Sequence, residues 1–125
     1  MSSHSGTIRV VLVDDHAVIR AGLAQLIATA EDIEVVGQAG DGAEAVEQAR
    51  ALTPDVVLMD LQMPGVDGVS ATREIVSAGL GVDVLVLTSY SDNERILDAL
   101  DAGAVGYLLK DADPDDVLSG VRAVA

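Results

Sequence analysis

The sequence predicts an α/β fold: a doubly wound (βα)5 sandwich around a five-stranded parallel sheet in the order 2-1-3-4-5. Three observations carry this. Short β-branched runs alternate with longer segments of helical period along the whole chain. The stronger runs are apolar at consecutive positions, as strands buried on both faces by helices must be. The second run is the weakest and suits an edge, and among the few topologies that right-handed crossovers permit, the order 2-1-3-4-5 puts it there.

The elements follow in order. Ile8, Arg9, Val10, Val11, Leu12 and Val13 make a near-continuous apolar strand that stops at Asp14-Asp15. The next segment is helical, with Val18, Ile19, Leu23, Leu26 and Ile27 at helical spacing. A weaker strand is expected over 34–39, a turn at Gly40-Asp41-Gly42 and a second helix over 43–52. Thr53-Pro54 breaks the chain before Asp55, Val56, Val57, Leu58 and Met59, a strand of the fully buried type that ends at Asp60. Pro64-Gly65 and Asp67-Gly68 form a loop, and a third helix is expected over 69–78. The fourth strand, over 82–87, ends at Thr88-Ser89, and Asp92 is the expected cap of a helix that Gly103 terminates. The fifth strand, over 105–109, ends at Lys110, and Asp113-Pro114 opens the last helix with Asp as cap and Pro at the first helical position.

Composition narrows the function. A chain of 125 residues suits one domain, and with half of them hydrophobic a core can form without disulfides. The lack of cysteine excludes thiolate metal sites and fits a reducing compartment. The apolar runs are strand-sized, well short of the roughly 20 residues of a membrane helix, and residues 1–7 do not resemble a signal peptide. A cytoplasmic domain over 8–125, preceded by a disordered segment over 1–7, is expected. The formal charge of −14, from 21 acids and 7 bases, opposes binding of a phosphate backbone through this domain. Six of the bases are arginines, so Lys110 is the only lysine.

In sheets of this type ligands collect at the carboxyl ends of the strands, near the switch point between strands one and three. Asp14-Asp15 follow the first strand, Asp60 the third, Thr88 the fourth and Lys110 the fifth. Crowded carboxylates resist joint ionisation unless a hard cation neutralises them. Mg²⁺ fits, because it prefers oxygen ligands and typically takes one or two carboxylates together with phosphate oxygens. Asp14-Asp15 could instead be a helix N-cap pair, but one cap accounts for one of the two acids. A carboxylate so placed can attack phosphorus to form an acyl phosphate, with Lys110 as a point charge for a phosphate oxygen and Thr88 as a hydroxyl donor. His16 reads as a surface residue at a helix start, since no second His or Cys lies at ligand spacing. Met59 and Met63 read as packing residues.

These residues resemble, from about Ile8 to Ala123, the receiver domain of bacterial response regulators, which sensor histidine kinases phosphorylate in two-component signalling. The match includes Asp14, Asp15, Asp60, Thr88 and Lys110 in order, and Asp60-Leu61-Gln62-Met63-Pro64-Gly65-Val66-Asp67-Gly68 fits the family's D-x-x-M-P-x-x-D/N-G segment. Asp14-Asp15-His16, Arg20-x-Gly22-Leu23 and Gly106-Tyr107-Leu108-Leu109-Lys110-Asp111-Ala112 are similar to the NarL/LuxR-type subfamily. The resemblance implies a flavodoxin-like fold, with Asp60 accepting a phosphoryl group from a kinase phosphohistidine. It also implies Mg²⁺ held by Asp15, Asp60 and the backbone carbonyl of Gln62, with Asp14 acting through water. Thr88 and Tyr107 match the family's switch pair, which reshapes the face made by the fourth helix, fifth strand and fifth helix. A phosphorylation-dependent homodimer is the expected partner state beside the kinase.

Two departures stand out. Many receivers carry a cis proline after the lysine, whereas Asp111 follows Lys110 here, so a trans bond or different local geometry is expected. The subfamily also carries a C-terminal helix-turn-helix DNA-binding domain, absent from these 125 residues, which favours an excised receiver over a single-domain regulator. Tyr90 and Gln62 are expected to flank the pocket entrance and tune water access to the phosphoryl group. An alternative function is an Mg²⁺-dependent phosphohydrolase working through an aspartyl phosphate. That class would place its nucleophile after the first strand in an Asp-x-Asp arrangement and add a cap insertion, whereas Asp14 and Asp15 are adjacent and the connections short. A flavin or nucleotide module on the same topology lacks its glycine-rich phosphate loop here.

Overall fold

A computed structural model describes residues 7–61, 67–88 and 93–125. The expectations for 1–7 (Thr7 apart), Gln62, Met63, the Pro64-Gly65 turn, Tyr90 and the Asp92 cap lie outside the described residues. The elements run β1 (Ile8–Val13), α1 (Ala17–Ala28), β2 (Ile33–Ala39), α2 (Gly42–Leu52), β3 (Val56–Asp60), α3 (Gly68–Ser77), β4 (Asp83–Thr88), α4 (Asn93–Asp101), β5 (Gly106–Leu109) and α5 (Pro114–Val124). The sheet is parallel in the order β2-β1-β3-β4-β5, as expected, with β2 at one edge.

Strand alternation divides the core between two faces. Val11, Val13, Val57, Met59, Val84 and Val86 pack with Ala45 and Ala49 of α2 and Ala71 and Ile75 of α3. Val10, Leu12, Val56, Leu58 and Leu85 pack on the other face with Ile27 of α1 and Val117, Leu118 and Val121 of α5. Most of these side chains are fully buried, each contributing about 1.5–3 kcal/mol relative to exposure. Met59 is thus a core residue, as its apolar context suggested.

Periodicity places α1 correctly but does not report how deeply its first turn is buried. Val18 and Ile19 share the helical spacing of Leu23 and Ile27, yet Val18 is 85 % exposed and Ile19 42 %. They sit in the first turn of α1, at the carboxyl edge of a sheet whose β1 ends at Val13, and the helix buries its stripe only further along, at Ile27. Val105 is also exposed: its amide donates to the Val84 carbonyl, but β5 proper begins at Gly106.

Helix ends show where local chemistry operates. Asp41 and Asp67 cap α2 and α3 by accepting from the amides of Glu44 and Ser70, each at 2.8 Å. Asp113 occupies the cap position of α5 ahead of Pro114, but its side chain makes no capping bond, in contrast to the expectation. Gly103 follows α4 at a φ of +114°, which L side chains rarely adopt, and so ends the helix as expected. No cis peptide bond occurs among the described residues, so Lys110-Asp111 is trans. No helix among them is long and apolar enough to cross a membrane.

One exposed ion pair ties the entrance of β2 to the end of α5: Arg122 donates Nε and an Nη to the two carboxylate oxygens of Asp32 at 2.7 and 2.8 Å. That hydrogen bonding holds the Asp32 carboxyl below the ordinary carboxylate range. A depressed folded-state pKa means the contribution is present above the unfolded-state value and is lost as pH falls through the folded one. An Arg122→Gln variant should therefore show an Asp32 pKa raised toward the ordinary value in an NMR titration. Its stability deficit should shrink as pH falls through the depressed folded-state value of Asp32 and vanish below it, where the carboxyl is protonated in both the folded and unfolded states.

Candidate functional site

The register of the sheet assembles the site. Val13 pairs with Met59, so the residues that follow, Asp14 and Asp60, leave adjacent strands at one level. Asp60 pairs with Leu87 and Thr88 with Leu109, which brings Thr88 and then Lys110 to the same edge. All five positions expected from the strand ends converge there. Asp60 and Thr88 are fully buried, and Asp14 is 1 % exposed.

Lys110 Nζ lies 2.9 Å from Asp60 Oδ1, with the lysine side chain 26 % exposed at the rim. Its main chain is anchored independently, the Lys110 amide donating to the Thr88 carbonyl at 2.8 Å. Asp14 Oδ1 accepts the His16 amide at 2.8 Å, which turns the chain into α1, while Asp14 Oδ2 is buried with no hydrogen-bond partner among the described residues. The alternative reading of Asp14 and Asp15 as helix caps does not hold: His16 holds the cap position and α1 has no side-chain cap bond.

Ligand atoms of Asp14, Asp15, His16 and Asp60 all lie within 4.8 Å of one another. At such separations each pair of carboxylates repels by about 3 kcal/mol at an effective dielectric constant of ~20. Lys110 offsets part of this. The buried, unpartnered oxygen of Asp14 and the oxygen-rich donor set fit a hard divalent cation, which would neutralise the rest.

His16 is more involved than its sequence context suggested. It is a surface residue, 60 % exposed, but its Nδ1 lies 3.2 Å from Asp14 Oδ1 and 3.0 Å from Asp15 Oδ1. Its position next to two acids was the available signal. Arg20, noted only as part of a subfamily pattern, donates from α1 to the Asp14 carbonyl at 2.5 Å and holds the exit of β1 in place. Tyr107 pairs in register with Val86, which places it on the same face of the sheet as Thr88, two pairs along, and it is 48 % exposed.

A buried aspartate at the end of the central strand of a (βα)5 sheet, met by an acid pair and a lysine, defines a receiver. The chain belongs to the family of response regulator receiver domains, whose model matches residues 10–122. It is 43 % identical over 118 residues to the transcriptional regulatory protein LiaR of Bacillus subtilis, covering 94 % of this chain and 56 % of LiaR. It is 43 % identical over 117 residues to the response regulator UvrY of Escherichia coli K12, covering 94 % and 54 %. Among solved structures, a LuxR-family response regulator from Aurantimonas sp. superposes with a TM-score of 0.89 at 38 % identity, covering 95 % of this chain and 85 % of that one. The receiver domain of NarL from Mycobacterium tuberculosis superposes at 0.86 and 36 %, covering 94 % and 98 %. The NarL/LuxR-type likeness read from the sequence therefore holds. The chain spans about half the length of the curated relatives it matches.

The exit of β3 leaves no room to spare. A Cβ at Gly68 would run into the Asp60 carbonyl oxygen and come within 2.8 Å of Leu61 Cα, both main-chain atoms. A Gly68→Ala change should cost about 1–3 kcal/mol, measured by chemical denaturation, because either α3 or the end of β3 must shift. A variant as stable as the parent would mean that this junction is not tightly packed.

Proposed function

We propose that Asp60 accepts a phosphoryl group from the phosphohistidine of a sensor histidine kinase, and that the resulting aspartyl phosphate switches the domain between signalling states. The observation that carries this reading is the buried Asp60 carboxylate with Lys110 Nζ 2.9 Å from Oδ1 and the Asp14 and Asp15 oxygens within 4.8 Å. A carboxylate oxygen of Asp60 forms the new P–O bond as the P–N bond to the kinase imidazole breaks, and the departing imidazole nitrogen takes a proton from solvent. Asp15, Asp60 and the Gln62 carbonyl would hold Mg²⁺, with Asp14 acting through water. When bound, the ion supplies positive charge against the carboxylates and phosphate oxygens. Lys110 binds one phosphate oxygen, and its ammonium compensates charge on the acyl phosphate. Thr88 donates its hydroxyl to another.

The switch pairs Thr88 with Tyr107. Their shared face and the half-exposed ring support this, since the ring has an outward position from which to turn inward as the hydroxyl moves toward phosphate. The result would reach the face of α4, β5 and α5 and favour a homodimer. The domain catalyses only its own phosphorylation and dephosphorylation. The relatives named as transcriptional regulators support an output at DNA made by a helix-turn-helix domain of a longer cytoplasmic protein, not by this acidic domain.

Incubation with Mg²⁺ and acetyl phosphate should add one phosphate to the parent chain by mass, as an acid-stable, base-labile adduct. Asp60→Ala should remain unmodified, and chelation of the metal should abolish the reaction. No adduct on the parent, or an equal one on Asp60→Ala, would overturn the reading.

A further inference from the structure

We infer that Arg95 is a positioning residue for the acceptor aspartate, fixing the main chain that leaves Asp60 from the helix beyond Thr88. The inference rests on the proposed role of Asp60 and extends it. Arg95 Nη1 donates to the Leu61 carbonyl at 2.6 Å, a short charge-assisted bond from a half-buried side chain. Leu61 directly follows Asp60 and is fully buried, and its own amide donates to the Leu87 carbonyl at 3.2 Å. The residue after the acceptor is thus held at both main-chain polar groups, the N–H by β4 and the C=O by α4. Gly68 packs closely against the Asp60 and Leu61 main chain, so the exit of β3 has no room to move toward α3.

A neutral side chain would leave the buried-side carbonyl of Leu61 without this donor, and the strand exit could rotate. Asp60 would then lose orientation toward Lys110 and toward the acids of β1, and positional losses of this kind are read directly in rate. The same bond ties α4 to the acceptor strand, so a displacement of α4 is felt at Leu61 and the reverse. Arg95 touches no reacting atom and acts only through the peptide it holds.

The test compares the parent with Arg95→Met, which keeps the aliphatic length and loses the donor, and Arg95→Lys, which keeps a donor. Three readouts are used: the rate of phosphorylation by acetyl phosphate, the Mg²⁺ dissociation constant from NMR titration, and amide exchange at Leu61. Arg95→Met should slow phosphorylation about tenfold, weaken Mg²⁺ binding several-fold and speed Leu61 exchange, while core amides such as Leu58 keep their protection. Arg95→Lys should recover most of each effect. Parental values in Arg95→Met, or equal losses in the Met and Lys variants, would overturn the inference. If the parent forms no adduct, the proposed function fails, and Leu61 exchange, which needs neither phosphate nor metal, still decides whether Arg95 holds this peptide.

Discussion

Charge repulsion among Asp14, Asp15 and Asp60 is the constraint around which the rest of the domain is arranged. Parallel pairing of β1 with β3 forces the two strand ends to the same level, so the acids cannot separate without unravelling the sheet. Two of the three are almost wholly buried, where unpaired charge is costly. The fold bears this cost through the two apolar layers that clamp the strands, and Lys110 relieves only part of it. A domain built this way favours whatever brings positive charge to that edge.

The arginines show how such an acidic chain spends its few cations. With 21 acids available, Arg9, Arg20 and Arg95 nevertheless donate to main-chain carbonyls, those of Leu52 and Thr53, Asp14, and Leu61. Each of these carbonyls lies at or beside the end of a helix or strand, where regular pairing runs out. An exposed ion pair is worth little against solvent, whereas a guanidinium on a partly buried carbonyl holds a turn in one geometry. Arg122 with Asp32 is the contrasting case, a solvent-exposed pair joining two elements by side chains alone.

How much could be read in advance follows from the same distinction. Sheet order and the residues at strand ends were legible because consecutive apolar runs mark buried parallel strands, and such strands deliver their next residues to one edge. Asp14, Asp15, Asp60, Thr88 and Lys110 needed nothing more. The helix through Val18 and Ile19 was legible as well, but their exposure was not, because periodicity reports which side of a helix is apolar and not where the sheet beneath it stops. The bonds of Arg20 and Arg95 were invisible because a carbonyl acceptor has no residue identity, so no spacing or pattern announces it. Asp41 was passed over within a glycine turn, while Asp113, with the better cap sequence, forms no cap bond. At the start of α2 the Glu44 carboxylate also accepts the Gly40 amide.

Lys110 has a consequence beyond its ion pair with Asp60. It is the chain's single lysine, and its side chain sits at the rim of the site, partly open to solvent. Amine-directed chemistry, whether a laboratory label or an acyl group, therefore has one side-chain target on this domain, and that target is the cation that offsets Asp60. Neutralising it would strip the acid cluster of that counter-charge in a single covalent event.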